Sequence, residues 1–105
     1  MSLAKLTTRQ NNTMSFTIAF TDNTGTAINI TGATVVVTLY LGNSTITSKT
    51  ITSHTTPAGG ITTCSFSNTE TAVLPVNLLG YEVQLTLISG SVYSDTGIIE
   101  IIKDR

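Results

Sequence analysis

The clearest pattern in this 105-residue chain is a strict alternation of apolar and polar side chains over short stretches. Residues 13–21 place one apolar set on a single face, namely Met14, Phe16, Ile18 and Phe20. Residues 33–41 repeat the alternation with Val35, Val37, Leu39 and Leu41. A period of two residues, with β-branched and aromatic side chains, is typical of half-buried β-strands. Both stretches are therefore predicted to be strands.

Four further stretches between turn signals also carry strand patterns. They are residues 45–53, which are polar and predicted near a sheet edge, and residues 61–67, 81–87 and 92–102. In the last of these a kink is expected at Gly97. Residues 56–60 have the composition of a loop. Ser67 and Glu70 have the spacing of a capping box, which predicts one helical turn over residues 68–74 that ends before Pro75.

These elements define the predicted fold class. About seven short strands in roughly 100 residues, with turn signals between them, are the outline of an Ig-like β-sandwich. We therefore predict an all-β, Ig-like antiparallel sandwich with one short helical turn, and a small barrel is the alternative. The length fits a single domain over residues 1–105. Residues 1–8 are predicted to be an arm or an edge strand.

Composition narrows the function classes. Charged residues make up 10% of the chain and the formal net charge is −1, whereas a nucleic-acid interface needs clustered Lys and Arg. Threonine fills about a fifth of the positions, and such a weakly charged surface tolerates close association in an assembly. The N-terminus lacks the apolar core of a signal peptide, and no segment has the pattern of a membrane span. We expect a cytoplasmic protein, or one exported only as part of a particle.

The residues that could carry chemistry favour structural roles. His54 is the only histidine and is expected to be an exposed loop residue. Cys64 is in phase with apolar residues of its strand, so we expect a buried, inert thiol. For Asp22, Asn23 and Asp95 we expect turn-forming roles, and a calcium site is the alternative. Ca²⁺ takes six to eight oxygen ligands, and two carboxylates in separate loops supply few of them. We predict no enzyme, no cofactor and no metal.

The exposed faces and edges of the strands are the remaining candidates for a functional surface. A strip of Val36, Thr38 and Tyr40 is predicted to contact protein, and the alternative is a sugar-binding platform of Tyr40, Tyr81 and Tyr93. The polar strand over residues 45–53 has Lys49 as its only charge, so we expect an open edge without inward charges. We expect this edge to accept a strand from a neighbouring molecule, with residues 3–8 as the donor. Proline in place of Ile46 or Thr50 should therefore weaken assembly.

Several sequence features resemble the Ig-like β-sandwich modules of baseplate and tail-fibre proteins in tailed bacteriophages. Residues 28–33 read Ile-Asn-Ile-Thr-Gly-Ala, and Asp22 and Gly25 match the Asp-x-x-Gly turn that precedes this block. Leu74-Pro75 and the following Tyr-x-Val-x-Leu strand, with Tyr81, Val83 and Leu85, complete the likeness. The resemblance extends from about residue 8 to residue 102, and the family has no catalytic residues to carry over.

The resemblance implies a function for the chain. We expect a non-enzymatic structural protein of a tailed-phage virion, assembled in the cytoplasm of the host bacterium. It would dock by protein–protein contacts, either as a tail, baseplate or fibre-attachment component or as a capsid decoration protein. Its partners would be other virion proteins and symmetric copies of itself, with no nucleic acid and no membrane. The alternative is a carbohydrate-binding or adhesive Ig-like module.

Overall fold

The computed structural model describes residues 3–103 and contains two sheets and two short helical segments. Its strands are β1 (Leu6–Arg9), β2 (Met14–Ala19), β3 (Thr34–Leu41), β4 (Ser44–Ile51), β5 (Ile61–Phe66), β6 (Leu78–Thr86) and β7 (Val92–Ile102). The helical segments are a 3₁₀ turn (Pro57–Gly59) and α1 (Asn68–Ala72).

The strands form a sandwich of unequal sheets. The large sheet has the order β1-β7-β6-β3-β4, and the small sheet pairs β2 with β5. The predicted all-β sandwich of about seven strands is confirmed, and the two separate sheets exclude the small barrel. One pairing differs from the antiparallel prediction, because β1 runs parallel to β7, with Leu6 opposite Ile99. Residues 6–9 thus form an edge strand of the large sheet, whereas residues 1 and 2 of the predicted arm or edge strand lie outside the described residues.

The core lies between the sheets and is built from the alternating positions of the strands. Its fully buried side chains on the central strands β3 and β6 are Val35, Val37, Leu39, Leu79, Tyr81, Val83 and Leu85. On the small sheet Thr62, Cys64 and Phe66 are buried in phase, as predicted. One predicted inward residue departs from the core: Leu41 is exposed, since it is the last residue of β3.

The predicted helical turn after β5 is confirmed together with its capping box. The Ser67 hydroxyl accepts from the Glu70 backbone N–H, and the Glu70 carboxylate accepts from the Ser67 N–H. Leu74 follows α1 and is buried. The Thr71 hydroxyl, also buried, donates to the Asn12 carbonyl at 2.8 Å. The turn therefore closes one end of the sandwich.

The predicted loop over residues 56–60 contains a short 3₁₀ turn at residues 57–59, and Gly60 follows in the left-handed region with φ +74°. A Cβ at Gly60 would lie 2.8 Å from the Phe20 carbonyl oxygen, so only glycine fits there. At Gly97, where a kink was expected, β7 pairs with β6 without a register shift; the kink itself stays a prediction.

Candidate functional site

Four of the five predicted contact residues lie together on the outer face of the large sheet, the face turned away from β2 and β5. Val36, Thr38 and Tyr40 alternate along β3 with buried core positions. Thr50 is directly opposite Val36 on β4, so its side chain shares this face. Ile46 does not, because it lies at the irregularity in the β3–β4 register and packs against the core. The contact role of these residues stays a prediction.

Strand β4 is an edge strand, as its polar sequence predicted, but its edge is protected. Lys49 is opposite Val37, a buried inner-face position, and therefore points inward. The expectation that no inward charge lies on this strand was wrong for that reason. An inward lysine and a β-bulge are two features by which natural edge strands avoid further pairing. Strand β4 has both, with its bulge at Ile46.

Lys49 also ties the edge of the large sheet to the small sheet. Its ammonium donates to the Ser65 carbonyl and to the Glu70 carboxylate, each at 2.8 Å. The ammonium lies 5.1 Å from the centroid of the Phe66 ring, which is a cation–π distance. The hydrogen bond from Lys49, followed by that from the Ser67 N–H, lowers the pKa of Glu70. These contacts bind β4, β5 and α1 together at one side of the sandwich.

The N-terminal segment, expected to donate a strand to a neighbour, packs on its own molecule. Leu3 and Leu6 pack against the core, and Leu6 begins β1. The Tyr81 hydroxyl donates to the Ala4 carbonyl. The Tyr81 ring meets the Phe16 ring edge-on at a centroid distance of 5.9 Å. Residues 3–9 thus close the side of the sandwich opposite β4.

Two cross-strand pairs of tyrosine and glycine lie back to back in the middle of the large sheet. Tyr40 is opposite Gly80 on the outer face, and Tyr81 is opposite Gly97 on the inner face. A Cβ added at Gly80 would lie 2.3 Å from Tyr40 Cζ, and one at Gly97 would lie 2.6 Å from Tyr81 Cε1. Each ring therefore occupies the space that a larger residue would need. Sequence reasoning missed both pairs, although the consecutive Gly80 and Tyr81 were a signal for them.

Around Gly80 the outer face carries an apolar depression, which we call the Gly80 patch and define as Tyr40, Leu78, Gly80 and Ile98. Leu78 and Ile98 are 53% and 51% exposed. The depression has a volume of about 550 Å³, and Lys5 is at its margin. Most other outer-face positions of β3, β4, β6 and β7 are threonine, serine, glutamine or glutamate. The patch is thus an apolar centre within a polar face.

The three tyrosines do not form the shared platform that was the carbohydrate alternative. Tyr40 is on the outer face of the large sheet, whereas Tyr81 is buried on the inner face. Tyr93 is opposite the buried Leu85, so it belongs to the inner phase, and it is 43% exposed beyond the cover of the small sheet. Tyr93 lines a separate cleft of about 630 Å³ with Asp22 and other residues of the 20–28 loop.

His54 is not the exposed loop histidine that the sequence predicted. It is half-buried, and its Nε2 is 2.7 Å from the Ala33 carbonyl oxygen, which only accepts, so Nε2 is the donor. Its Nδ1 is 2.9 Å from the Thr62 hydroxyl, which donates to it in the neutral ring. Thr62 is fully buried and out of reach of a substrate. The histidine therefore joins the small sheet to the start of β3.

The remaining ionisable side chains are explained by local structure. Burial raises the pKa of the Cys64 thiol to about 11, which keeps it protonated, as predicted for an inert cysteine. Hydrogen bonds from the Thr24 hydroxyl and backbone lower the pKa of Asp22. They come from its own turn. Within residues 3–103 no three His, Cys, Asp or Glu side chains form a group that could hold a metal ion. In the same range neither helical segment has the length or apolarity to cross a membrane.

Comparisons with known proteins add no relative to this description. The chain matches no protein-family model, no curated protein and no solved structure.

Proposed function

We propose that this chain is a non-enzymatic structural module that docks by protein–protein contacts through the outer face of its large sheet. The Gly80 patch is the observation that carries this proposal. Leu78 and Ile98 are each more than half exposed, although both are large apolar side chains within regular strands. A cluster of this kind with a polar surround is typical of a protein interaction site.

The shape of the patch suits a protruding apolar side chain of a partner. Tyr40 lies over Gly80 and forms one wall of the depression, and Ile98 is opposite Gly80 on the other neighbouring strand. Aromatic side chains are enriched at the centres of interfaces, where charged residues are depleted. The nearest charges border the apolar side chains: Glu100 is opposite Leu78 on β7, Glu82 follows Gly80 on the same face, and Lys5 lines the depression. This arrangement gives an apolar centre and a polar rim.

The setting that we propose is a tailed-phage virion, in a tail, baseplate or fibre attachment or as capsid decoration. The sequence likeness to phage Ig-like modules supports this setting, and the weakly charged surface suits a densely packed assembly. In such an assembly, symmetry repeats each weak contact many times, so modest individual interfaces are sufficient.

Quantitative mass spectrometry of purified particles from the source tests the virion setting. About one copy per capsid subunit or capsomer would indicate decoration, whereas a few to a few dozen copies per particle would indicate a tail component. Absence of the chain from the particles would overturn this part of the proposal.

The role of the patch is tested by incorporation of variants into particles. Ile98→Thr keeps a β-branched side chain but removes apolar surface at the patch, and Val92→Thr makes a comparable change on the same face at the far end of β7. Val92 is 55% exposed, so the two changes are matched in exposure. We expect incorporation to fall at least tenfold for Ile98→Thr and not for Val92→Thr. Equal incorporation of the two variants would exclude the patch as the contact.

Carbohydrate binding is the second candidate, and the cleft at Tyr93 favours it. An exposed aromatic ring beside Asp22 and Asn23 offers a stacking surface and polar groups for hydroxyls. A glycan array with Tyr93→Ala and Tyr40→Ala variants distinguishes the two functions. Selective binding lost in Tyr93→Ala and retained in Tyr40→Ala would favour this candidate, and an array without binding would exclude it.

A further inference from the structure

The free edge of strand β2 differs from the other edges of the sandwich. Strand β2 pairs only with β5, over the register from Met14–Phe66 to Ala19–Ile61 and without a shift. We call the side of β2 that faces away from β5 the β2 edge. The six residues of this strand contain no charge, no proline and no bulge.

Two hydrogen bonds fix which backbone groups point to the β2 edge. The Phe20 N–H donates to the Gly60 carbonyl at 2.8 Å, so it points toward the small-sheet partner. The Ser65 carbonyl accepts a hydrogen bond from Lys49, so it points to the side of β5 that faces away from β2. The N–H and C=O groups of successive residues in a strand point to alternate sides. Both hydrogen bonds therefore place the groups of the even-numbered β2 residues on the side of β5. The N–H and C=O groups of Ser15, Thr17 and Ala19 therefore point to the β2 edge.

The other three edges in the described part of the chain are shorter or protected. Strand β1 has four residues and includes Arg9. Strand β4 has its bulge and the inward Lys49. On β5 the outward carbonyl of Ser65 is already occupied by Lys49. Charge and bulges are means by which natural sheets block edge pairing, and β2 has neither. The N-terminal residues Leu3, Ala4 and Leu6 line a cleft beside β2 without pairing with it.

We propose that a second copy of this chain pairs with the β2 edge, strand to strand and antiparallel, about a twofold axis at Thr17. In this register Thr17 meets its own counterpart, Phe16 meets Ile18 of the second copy, and Ser15 meets Ala19. The outward groups of Ser15, Thr17 and Ala19 then form six interchain hydrogen bonds. No like charges oppose one another, because the strand is uncharged. The two small sheets become one four-stranded sheet, and the contact is isologous.

The inner side of the β2 edge suits this occupant. A cleft of about 230 Å³ lies there, lined by Leu3, Leu6, Phe16, Ile18 and Tyr81 among others. Phe16 is only partly buried in the single chain. In the paired arrangement Phe16 of the second copy adds its apolar surface at this cleft, whereas Ile18 is already buried in the core of its own chain. In the paired arrangement apolar residues of the two β2 strands are opposite one another on the inner face, and small or polar residues are opposite one another on the outer face.

The contact is small, so the association is weak and reversible. Each copy contributes six strand residues, whereas a standard interface uses roughly 20–30 residues a side. This inference names a partner that the proposed function leaves open, and it holds or fails independently of the Gly80 patch, which is on the other sheet.

Disulfide trapping tests the register directly. In a hydrogen-bonded antiparallel pair the Cα atoms are about 5.5 Å apart, which is within the range that a disulfide bridges. The variant Thr17→Cys therefore cross-links to a dimer on mild oxidation. The matched control is Ser15→Cys, on the same exposed face, whose two copies would be about 14 Å apart. Native Cys64 is fully buried and does not compete.

We expect at least a tenfold larger dimer fraction for Thr17→Cys than for Ser15→Cys. Equal fractions would indicate random collision, and no dimer in either variant would indicate no pairing, so both results would overturn the proposal. Sedimentation of charge variants provides a second test. Thr17→Lys and Thr17→Glu should each be monomeric, and their equimolar mixture should restore the dimer, since the opposed charges then attract. A mixture that stays monomeric would also overturn it.

Discussion

The two tyrosine–glycine pairs of the large sheet predict different outcomes for the same substitution. In Gly97→Ala the new methyl group meets the Tyr81 ring, with Cζ at 2.7 Å and Oη at 2.8 Å. Tyr81 is 2% exposed, packs edge-on against Phe16 and donates to the Ala4 carbonyl. These contacts hold the ring in place against the new methyl group. In Gly80→Ala the methyl group meets Tyr40, which is half-buried on the outer face and can turn into solvent.

The expected changes in the free energy of unfolding follow from two opposing effects. Overpacking a core costs about 1–3 kcal/mol, and replacing a glycine whose backbone tolerates alanine gains about 0.4–1 kcal/mol. For Gly97→Ala we expect a net loss of about 1–2 kcal/mol, which lowers Tm by roughly 4–16 °C. For Gly80→Ala the displaced ring and the entropic gain nearly offset each other, so stability should stay within about 0.5 kcal/mol of the parent.

Urea unfolding followed by circular dichroism measures both variants, with the m-value as the check on two-state behaviour. The variant Tyr81→Leu lacks the ring atoms that meet the new methyl group. In that background Gly97→Ala should cost less than about 0.5 kcal/mol, which gives a coupling energy of at least 0.5 kcal/mol between the two positions. The explanation would be wrong if Gly97→Ala cost the same in both backgrounds.

Three other features of the sandwich give predictions that are measured in the same way. His54→Ala leaves the buried Thr62 hydroxyl without its ring partner and should cost about 1–3 kcal/mol; no loss in urea unfolding would contradict the bridging role. The Cys64 thiol, with its raised pKa, should resist alkylation in the folded protein at pH 8 and react fully in denaturant; rapid labelling of the folded chain would show that it is accessible. Because the pKa of Glu70 is lowered by the hydrogen bond from Lys49, its contribution to stability is present above the unfolded pKa of about 4.3 and is lost as the pH falls through the folded value. Glu70→Gln should therefore reduce the loss of stability on acidification below pH 5, and an unchanged pH profile would contradict this.

The sequence predicted strands well where their alternation was strong. The stretches that became β2, β3 and β6 carry large apolar side chains at every second residue, and burial of one face fixes their register. For β1 the sequence left an arm and an edge strand as alternatives, because Leu6 and Thr8 are its only inward side chains. Its parallel pairing with β7 depends on residues more than 90 positions away, which no local pattern specifies.

The candidate site was predicted less completely, because it depends on cross-strand partners. Val36, Thr38 and Tyr40 share the outer face as expected from the period of two. Leu78 and Ile98 join Tyr40 only through the pairing of three strands around Gly80. His54 looked exposed because its partners are 8 and 21 residues away in the sequence. Contacts of this kind follow from topology rather than from neighbouring residues.

Whether a strand edge is open is also decided by neighbours rather than by the strand itself. Strand β4 looked open because it is polar and has one charge, yet that charge turns inward to Ser65 and Glu70. Strand β2 looked like an ordinary half-buried strand, and only the sheet order left its second side unpaired. Whether a charged residue protects an edge therefore depends on the face of the sheet that its side chain occupies. Lys49 is on the inner face, whereas a lysine in place of Thr50 would be on the outer face. Thr17 also faces outward, so a charge there would act in another way: at the proposed twofold axis it would lie directly opposite the same charge of the second copy.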